Sequence, residues 1–225
     1  MTVAETSFAA IDFESAGIRR GSTEVPVQIG IALMHHLEIS ENFGSFLFTE
    51  QPITWAAQKV HGICPKDLAG APRLPDLWPK VHDLLHNRWL VAHGSATERR
   101  FLRAFPFHGF GPWVDTLKVS RAVWPEKNSF ALGELVRDLG LEGDLRQALP
   151  AFRWHDALSD AMASLILLRR AVADAKIGNE NAGLLLRPDA TEYHRLKAQG
   201  LPLRSRSRSP ARRALRKEDF PQSDI

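Results

Sequence analysis

Short apolar runs broken by turn residues fill the first fifty positions, and apolar residues at helical spacing take over beyond them. Residues 8–14 read as a strand, residues 25–34 and 43–48 as two more, and the glycine-containing turn Arg19-Arg20-Gly21-Ser22 separates the first two. The second and third strands are expected as antiparallel neighbours of the first. Residues 54–62 form a short helical pattern stopped by a glycine, and a proline-rich link over residues 65–75 follows. Residues 76–87 place Trp78, Val81, Leu84 and Leu85 on one helical face. A strand over 88–92, a helix over 95–104, a short strand over 113–115 and a helix over 129–139 with Ser129 as its cap come next. The last strong helix spans residues 156–173. Periodicity fades from about Gly178, with room for one or two further helical turns over 190–198. Strands first, then strands alternating with helices, predict an α/β chain with a mixed sheet flanked by helices.

The first strand carries an unusual ending. Side chains alternate across a strand, so Asp12 and Glu14 project from one face while Ile11 and Phe13 point into the opposite layer. Two carboxylates side by side repel unless a cation or a proton lies between them. A metal pair is one reading; a strand end running into a solvated loop at Ser15-Ala16-Gly17 is the other.

Composition narrows the setting. A chain of 225 residues with 44% hydrophobic content can bury one sizeable core. The single cysteine, Cys64, leaves neither an internal disulfide nor a cysteine cluster for zinc, which suits a reduced compartment. Neither a signal-like N-terminus nor a membrane-length apolar run is present, so a soluble cytoplasmic protein without membrane contact is expected. The net charge of +3 is unevenly spread. Residues 201–225 hold seven basic against three acidic side chains, a net +4, which leaves the preceding 200 residues at −1. The Arg204-Ser-Arg-Ser-Arg-Ser-Pro run has too little apolar surface to fold alone and reads as a disordered tail, available for salt-sensitive phosphate contacts. The expected organisation is a domain over 1–178, a partly helical extension over 179–200 and the basic tail.

Further chemistry lies far along the chain. His155 and Asp160 stand five positions apart, about 140° around a regular helix, so they converge only if His155 sits on the loop before the helix. Glu98 falls in the first turns of the helix that follows His93. Asp12-Phe13-Glu14, His93 to Glu98, Val114-Asp115-Thr116 and His155 to Asp160 occur in this order, and together they resemble the DEDDh (DnaQ-like) family of 3′-to-5′ exonucleases, a branch of the ribonuclease H-like superfamily. Asp12 and Glu14 match the family's Asp-x-Glu motif, and His155 and Asp160 its His-x4-Asp motif. Supporting similarity occurs at Val60-His61-Gly62-Ile63, Asp115-Thr116-Leu117 and Phe130 to Leu135, so the resemblance covers about residues 7–172.

The resemblance implies a ribonuclease H-like three-layer fold with a mixed five-stranded central sheet. It also implies hydrolysis of phosphodiester bonds at the 3′ end of single-stranded DNA or RNA, releasing nucleoside monophosphates, with two Mg²⁺ or Mn²⁺ ions ~4 Å apart. Asp12 would bridge both ions, Glu14 and Asp160 would complete the site that holds the nucleophilic water, and Glu98 would act from the other side through water. His155 would take the water's proton. Residues 15–17 would lie near the terminal nucleotide, and a homodimer or a polymerase partner fits the same resemblance. One departure stands out: the family's second motif is His-Asn-x3-Asp, whereas here it is His93-Gly94-Ser95-Ala96-Thr97-Glu98. The longer acid and the missing amide keep a second reading open, a ribonuclease H-like module that binds nucleic acid or a partner with weak or no cleavage. A zinc site at His82 and His86, four residues apart, is the remaining rival; it has no evident third ligand, and packing beside the Trp78 stripe is the simpler role. Trp154, beside His155, is the tryptophan placed to stack on a base.

Overall fold

The computed structural model describes residues 1–199; the basic tail read from the sequence lies outside the described residues. Five strands form one mixed sheet: β1 (Phe8–Ser15), β2 (Pro26–His35), β3 (Glu38–Phe46), β4 (Trp89–Ala92) and β5 (Trp113–Asp115), in the order β3-β2-β1-β4-β5. β1 is central, antiparallel to β2 and parallel to β4, and β4 runs parallel to β5. The third strand pairs with β2 alone, so the expectation that it neighbours the first is corrected. It also begins earlier than the apolar run at 43–48. His36 and Leu37 both take positive φ (49° and 62°), which closes a tight hairpin and commits the polar stretch from Glu38 to an edge strand.

Helices cover both faces. α7 (Ala157–Ala175) crosses the face of β1 and β2, joined there by α4 (Thr116–Val123), α5 (Leu132–Asp138), α6 (Glu142–Ala148) and α8 (Ala190–Gln199). Apolar almost all round, α7 is buried from Ala161 to Leu168, as a central helix must be. The opposite face packs Ile11, Phe13, Ile29 and Ile31 against α2 (Trp78–Leu85) and α3 (Ala96–Phe101). α1 (Trp55–His61) closes the end of β1. Its cap, Thr54, accepts from the Ala57 N–H at 3.2 Å, and Gly62 ends it in the left-handed region (φ 75°).

Two helices escape the hydrophobic pattern. α4 follows β5 without a loop, because Asp115 ends the strand and caps the helix, and its buried face is Thr116, Val119, Ser120 and Ala122. α6 buries only Leu145. Ser129 does not cap α5: the helix starts at Leu132 after Ala131, and the Ser129 hydroxyl instead accepts from the Ala131 N–H at 3.3 Å. Beyond Gly178 the chain packs on the same core, with Ala182, Leu185 and Tyr193 buried and the Tyr193 hydroxyl donating to Leu184 O at 2.8 Å. Among the described residues, no helix is long and apolar enough to cross a membrane.

Candidate active site

The register of the sheet decides what surrounds the two acids of β1. Asp12 stands opposite Gly30 and Glu14 opposite Gln28. Gly30 is where α7 meets the sheet: a Cβ there would lie 2.1 Å from Ala157 C and Leu158 N. Only a residue without a side chain lets the first turn of α7 approach so closely. Gln28 then fastens that turn with both ends of its amide. Its Nε2–H donates to Asp156 Oδ2 at 2.7 Å, and its Oε1 accepts from the Ala157 N–H at 3.1 Å. Asp156 is itself the cap of α7, accepting from the Ser159 N–H at 3.2 Å. Strand β2 therefore holds the helix that carries Asp160 over the acids of β1.

His155 lies outside α7, as its spacing from Asp160 requires, on an exposed turn with φ 58°. Ligand atoms of Glu14, His155 and Asp160 all lie within 4.8 Å of one another. This is the cluster of metal-ligating type found among the described residues.

Glu98 comes to the same region by a separate route. Past β4, the His93 ring is pinned by Nε2 donating to Phe130 O at 2.8 Å and by Nδ1 lying 3.0 Å from the Thr116 hydroxyl. Gly94 takes φ 87°, and its N–H donates to Asp115 Oδ1 at 3.1 Å. The turn that an asparagine amide would otherwise fix is thus held by Asp115 from the neighbouring strand. α3 starts from this turn and buries Glu98. Arg100, two residues on, forms an ion pair with Glu24, and Glu24 also accepts from the Ser15 hydroxyl at 2.6 Å, which ties α3 to the end of β1.

The electrostatics are those of a site that lacks positive charge. Burial, then repulsion from Asp160, Glu98 and Glu14, pushes the Asp12 carboxyl well above the usual carboxylate range. Glu14 is pushed up to about 7 by burial and then by Asp160. Glu98 reaches about 7 through burial, with Asp115 adding to it, and Asp160 about 7 through burial and then Asp156. Glu98 Oε2 and Asp160 Oδ1 are buried without a hydrogen-bond partner. Unpartnered buried carboxylate oxygens are costly by themselves and are what a hard divalent cation requires. The donor set therefore fits such a cation.

The rival features take structural roles. His82 and His86 stack at 4.7 Å beside Trp78 and Phe110, with no third ligand among the described residues. Trp154 lies edge-on to Phe152 and against Gly133, so it packs rather than standing free as a platform. Cys64 bonds to Asp67. Residues 15–17 run beside α1: the buried His61 Nε2 donates to Ser15 O at 3.1 Å, and Gly17 (φ 81°) abuts Thr54. Gln28, Gly30 and the Glu24–Arg100 pair were not foreseen, and Asp115, named among the motifs of the resemblance, had been given no role of its own. Gln28 and Gly30 share the two-residue spacing of Asp12 and Glu14, but only the pairing register shows that they belong together.

Comparison with known proteins places this geometry in context. The exonuclease family RNase_T matches residues 9–168. A DNA polymerase III PolC-type of Thermotoga petrophila is 26% identical over 178 residues, which is 76% of this chain and 12% of that protein. A PolC-type of Streptococcus pyogenes is 27% identical over 181 residues, 78% and 12% respectively. The chain thus spans about an eighth of the length of these relatives. Among solved structures, Exonuclease X in complex with 5′ overhanging duplex DNA superposes with a TM-score of 0.65 at 24% identity, covering 80% of this chain and 99% of that one. The nuclease domain of 3′hExo, a DEDDh family member bound to rAMP, gives 0.61 at 18%, covering 76% and 93%. The five-stranded, helix-flanked sheet is the ribonuclease H-like fold of these exonucleases.

Proposed function

Because the chain belongs to the RNase_T exonuclease family, whose match takes in Asp12, Glu14, Glu98, His155 and Asp160, we propose that it removes nucleoside monophosphates from the 3′ end of DNA or RNA by metal-dependent hydrolysis. The observation that carries this reading is the acid cluster, half-buried at Asp12, Glu14 and Asp160 and buried at Glu98, with unpartnered buried oxygens on Glu98 and Asp160 and an exposed histidine beside it. Asp12, Glu14, Glu98 and Asp160 would hold two Mg²⁺ or Mn²⁺ ions, which supply positive charge to the attacking and leaving oxygens of the displacement. The chain's own residues do the rest. β1 and α7 hold three carboxylates on rigid elements, and α3 brings the fourth from the other side. The ring nitrogen of His155, exposed on its turn, takes the proton of the attacking water. Burial of the acids excludes bulk water from their far side.

The relatives suggest where such an activity sits. Exonuclease X is seen with duplex DNA and the 3′hExo domain with rAMP, so both DNA and RNA ends are proposed substrates. The PolC-type relatives make a polymerase a proposed partner. A single cysteine, which leaves no internal disulfide, suits a reduced, cytoplasmic setting.

The test is direct. Purified protein with Mg²⁺ or Mn²⁺ should shorten 5′-labelled single-stranded DNA or RNA from the 3′ end, and Asp12→Asn should abolish the shortening. His155→Ala should lower kcat far more than it weakens metal binding. If wild type leaves both oligonucleotides intact with either metal yet retains them on a filter, the chain is a binding module.

A further inference from the structure

A cleft of about 520 Å³ lies not at the acid cluster but beside it, along the edge strand β5, from the loop over residues 109–112 before the strand to Asp115 at its C-terminal end and Ser95 beyond β4. We infer that it holds the nucleic-acid strand upstream of the 3′ end; the inference rests on the exonuclease reading and adds a second binding site to it.

Position comes first. In sheets of this kind ligands gather outside the carboxyl ends of the strands, and the order β1-β4-β5 puts the acids and the Asp115 end of the cleft along the same edge. At about 4.8 Å between strands, β5 lies roughly 10 Å from β1, a few nucleotides along a strand. α3 links the two places: Glu98 is buried toward the acids, while its neighbour Arg99 is exposed and lines the cleft.

The lining has the chemistry of a single-strand site. Arg99 and Lys118 supply two cations, and neither forms an ion pair with a carboxylate among the described residues. Arg99 is held over the Trp113 ring, 5.5 Å from its centre, so its charge is fixed at the wall. Trp113, half-buried beneath Arg99, forms the aromatic wall of the cleft, and the buried Phe110 backs it from the core. Ser95 also faces the cleft, and its hydroxyl makes no capping bond to α3. The one acid of the lining, Asp115, spends Oδ1 on the N–H groups of Gly94 and Leu117, each at 3.1 Å, which offsets its repulsion of phosphate. Cations interleaved with aromatics, without sequence-reading polar groups, recognise backbone and stacked bases rather than sequence.

The experiment measures binding and cleavage separately. In EDTA, fluorescence anisotropy with a 5′-fluorescein oligothymidylate of roughly twelve nucleotides is expected to give an Arg99→Gln/Lys118→Gln double variant a Kd about tenfold above wild type, with a salt slope shallower by about 1.4, the share of two phosphate contacts. Arg99→Lys should restore the slope but only part of the affinity, since the planar stack on Trp113 is lost. With Mg²⁺, the double variant should raise KM for the twelve-nucleotide strand by a larger factor than for a dinucleotide, which is too short to span from the acids to the cleft. An unchanged Kd and slope in the double variant overturns the inference whether or not wild type cuts. Cleft-dependent binding by a wild-type protein that cuts nothing supports the cleft and sinks the exonuclease reading instead.

Discussion

Replacing Gly30 with alanine should disable the site without touching any acid. The added Cβ would stand 2.1 Å from Ala157 C and Leu158 N and 2.3 Å from Ala157 O, all backbone atoms with no rotamer to yield. Carbon contacts become favourable near ~3.5 Å, so the first turn of α7 must retreat by roughly 1.4 Å. That retreat pulls Ala157 and Asp156 away from Gln28 and withdraws Asp160 from Asp12. A misplacement of ~1 Å at reacting groups costs up to ~10²-fold in rate, and overpacking of this kind costs about 1–3 kcal/mol of stability. Gly44→Ala is the matched control. Its Cβ would meet the side chain of Leu158 at 3.4 Å, which can adjust, and Ile29 O at 3.9 Å, an ordinary contact. We expect kcat on a 5′-labelled oligonucleotide to fall about a hundredfold for Gly30→Ala and less than twofold for Gly44→Ala, with both variants folded by circular dichroism. A Gly30→Ala enzyme within about threefold of wild type would falsify the view that helix-to-strand distance sets the position of Asp160.

Three further outcomes are expected. Glu98→Gln should lower activity at least ~10²-fold while raising the melting temperature of the metal-free protein at pH 8, because a buried uncompensated charge is removed; a lower melting temperature would contradict this. Glu98→Asp keeps the charge but shortens the reach, and should cost about tenfold in activity if the Gly94 turn is set for the longer acid, as a metal titration of the variant would show. Glu14, Glu98 and Asp160 titrate at about 7 in the folded chain but near their ordinary values of about 4 when unfolded. The folded state therefore binds more protons between about pH 4 and 7, and metal-free stability falls as pH rises through that window. Calorimetry should show a lower melting temperature at pH 8 than at pH 5.5, restored by Mg²⁺ with proton release; a melting temperature that climbs without metal rules the cluster out as the cause.

The strands and principal helices were legible because their apolar spacing matches their burial, as at Trp78, Val81, Leu84 and Leu85, where the last three are buried on α2. α4 was invisible for the opposite reason: its inner face is Thr116, Val119, Ser120 and Ala122, where one valine among small and polar residues carries little hydrophobic signal. β3 was misplaced because an edge strand open to water keeps polar residues on both faces. At the site, the acids announced themselves by residue type and spacing. Gln28 and Gly30 did not, since their role depends on a register that pairs them with Glu14 and Asp12 and on a helix 128 residues away. The same holds for Asp115, which looks like a strand end until its carboxylate is seen holding the Gly94 turn.

The clamp between Gln28 and the first turn of α7 also fixes when the site comes into being. Its partners are 128 and 129 residues apart, so the contact closes one of the longest loops in the chain and pays that entropy late in folding. During synthesis β1 and β2 leave the ribosome with two acids of the cluster long before Asp160 exists. A chain released before α7 therefore lacks Asp160 and the partners of Gln28, and the acid cluster is complete only when the last large helix docks.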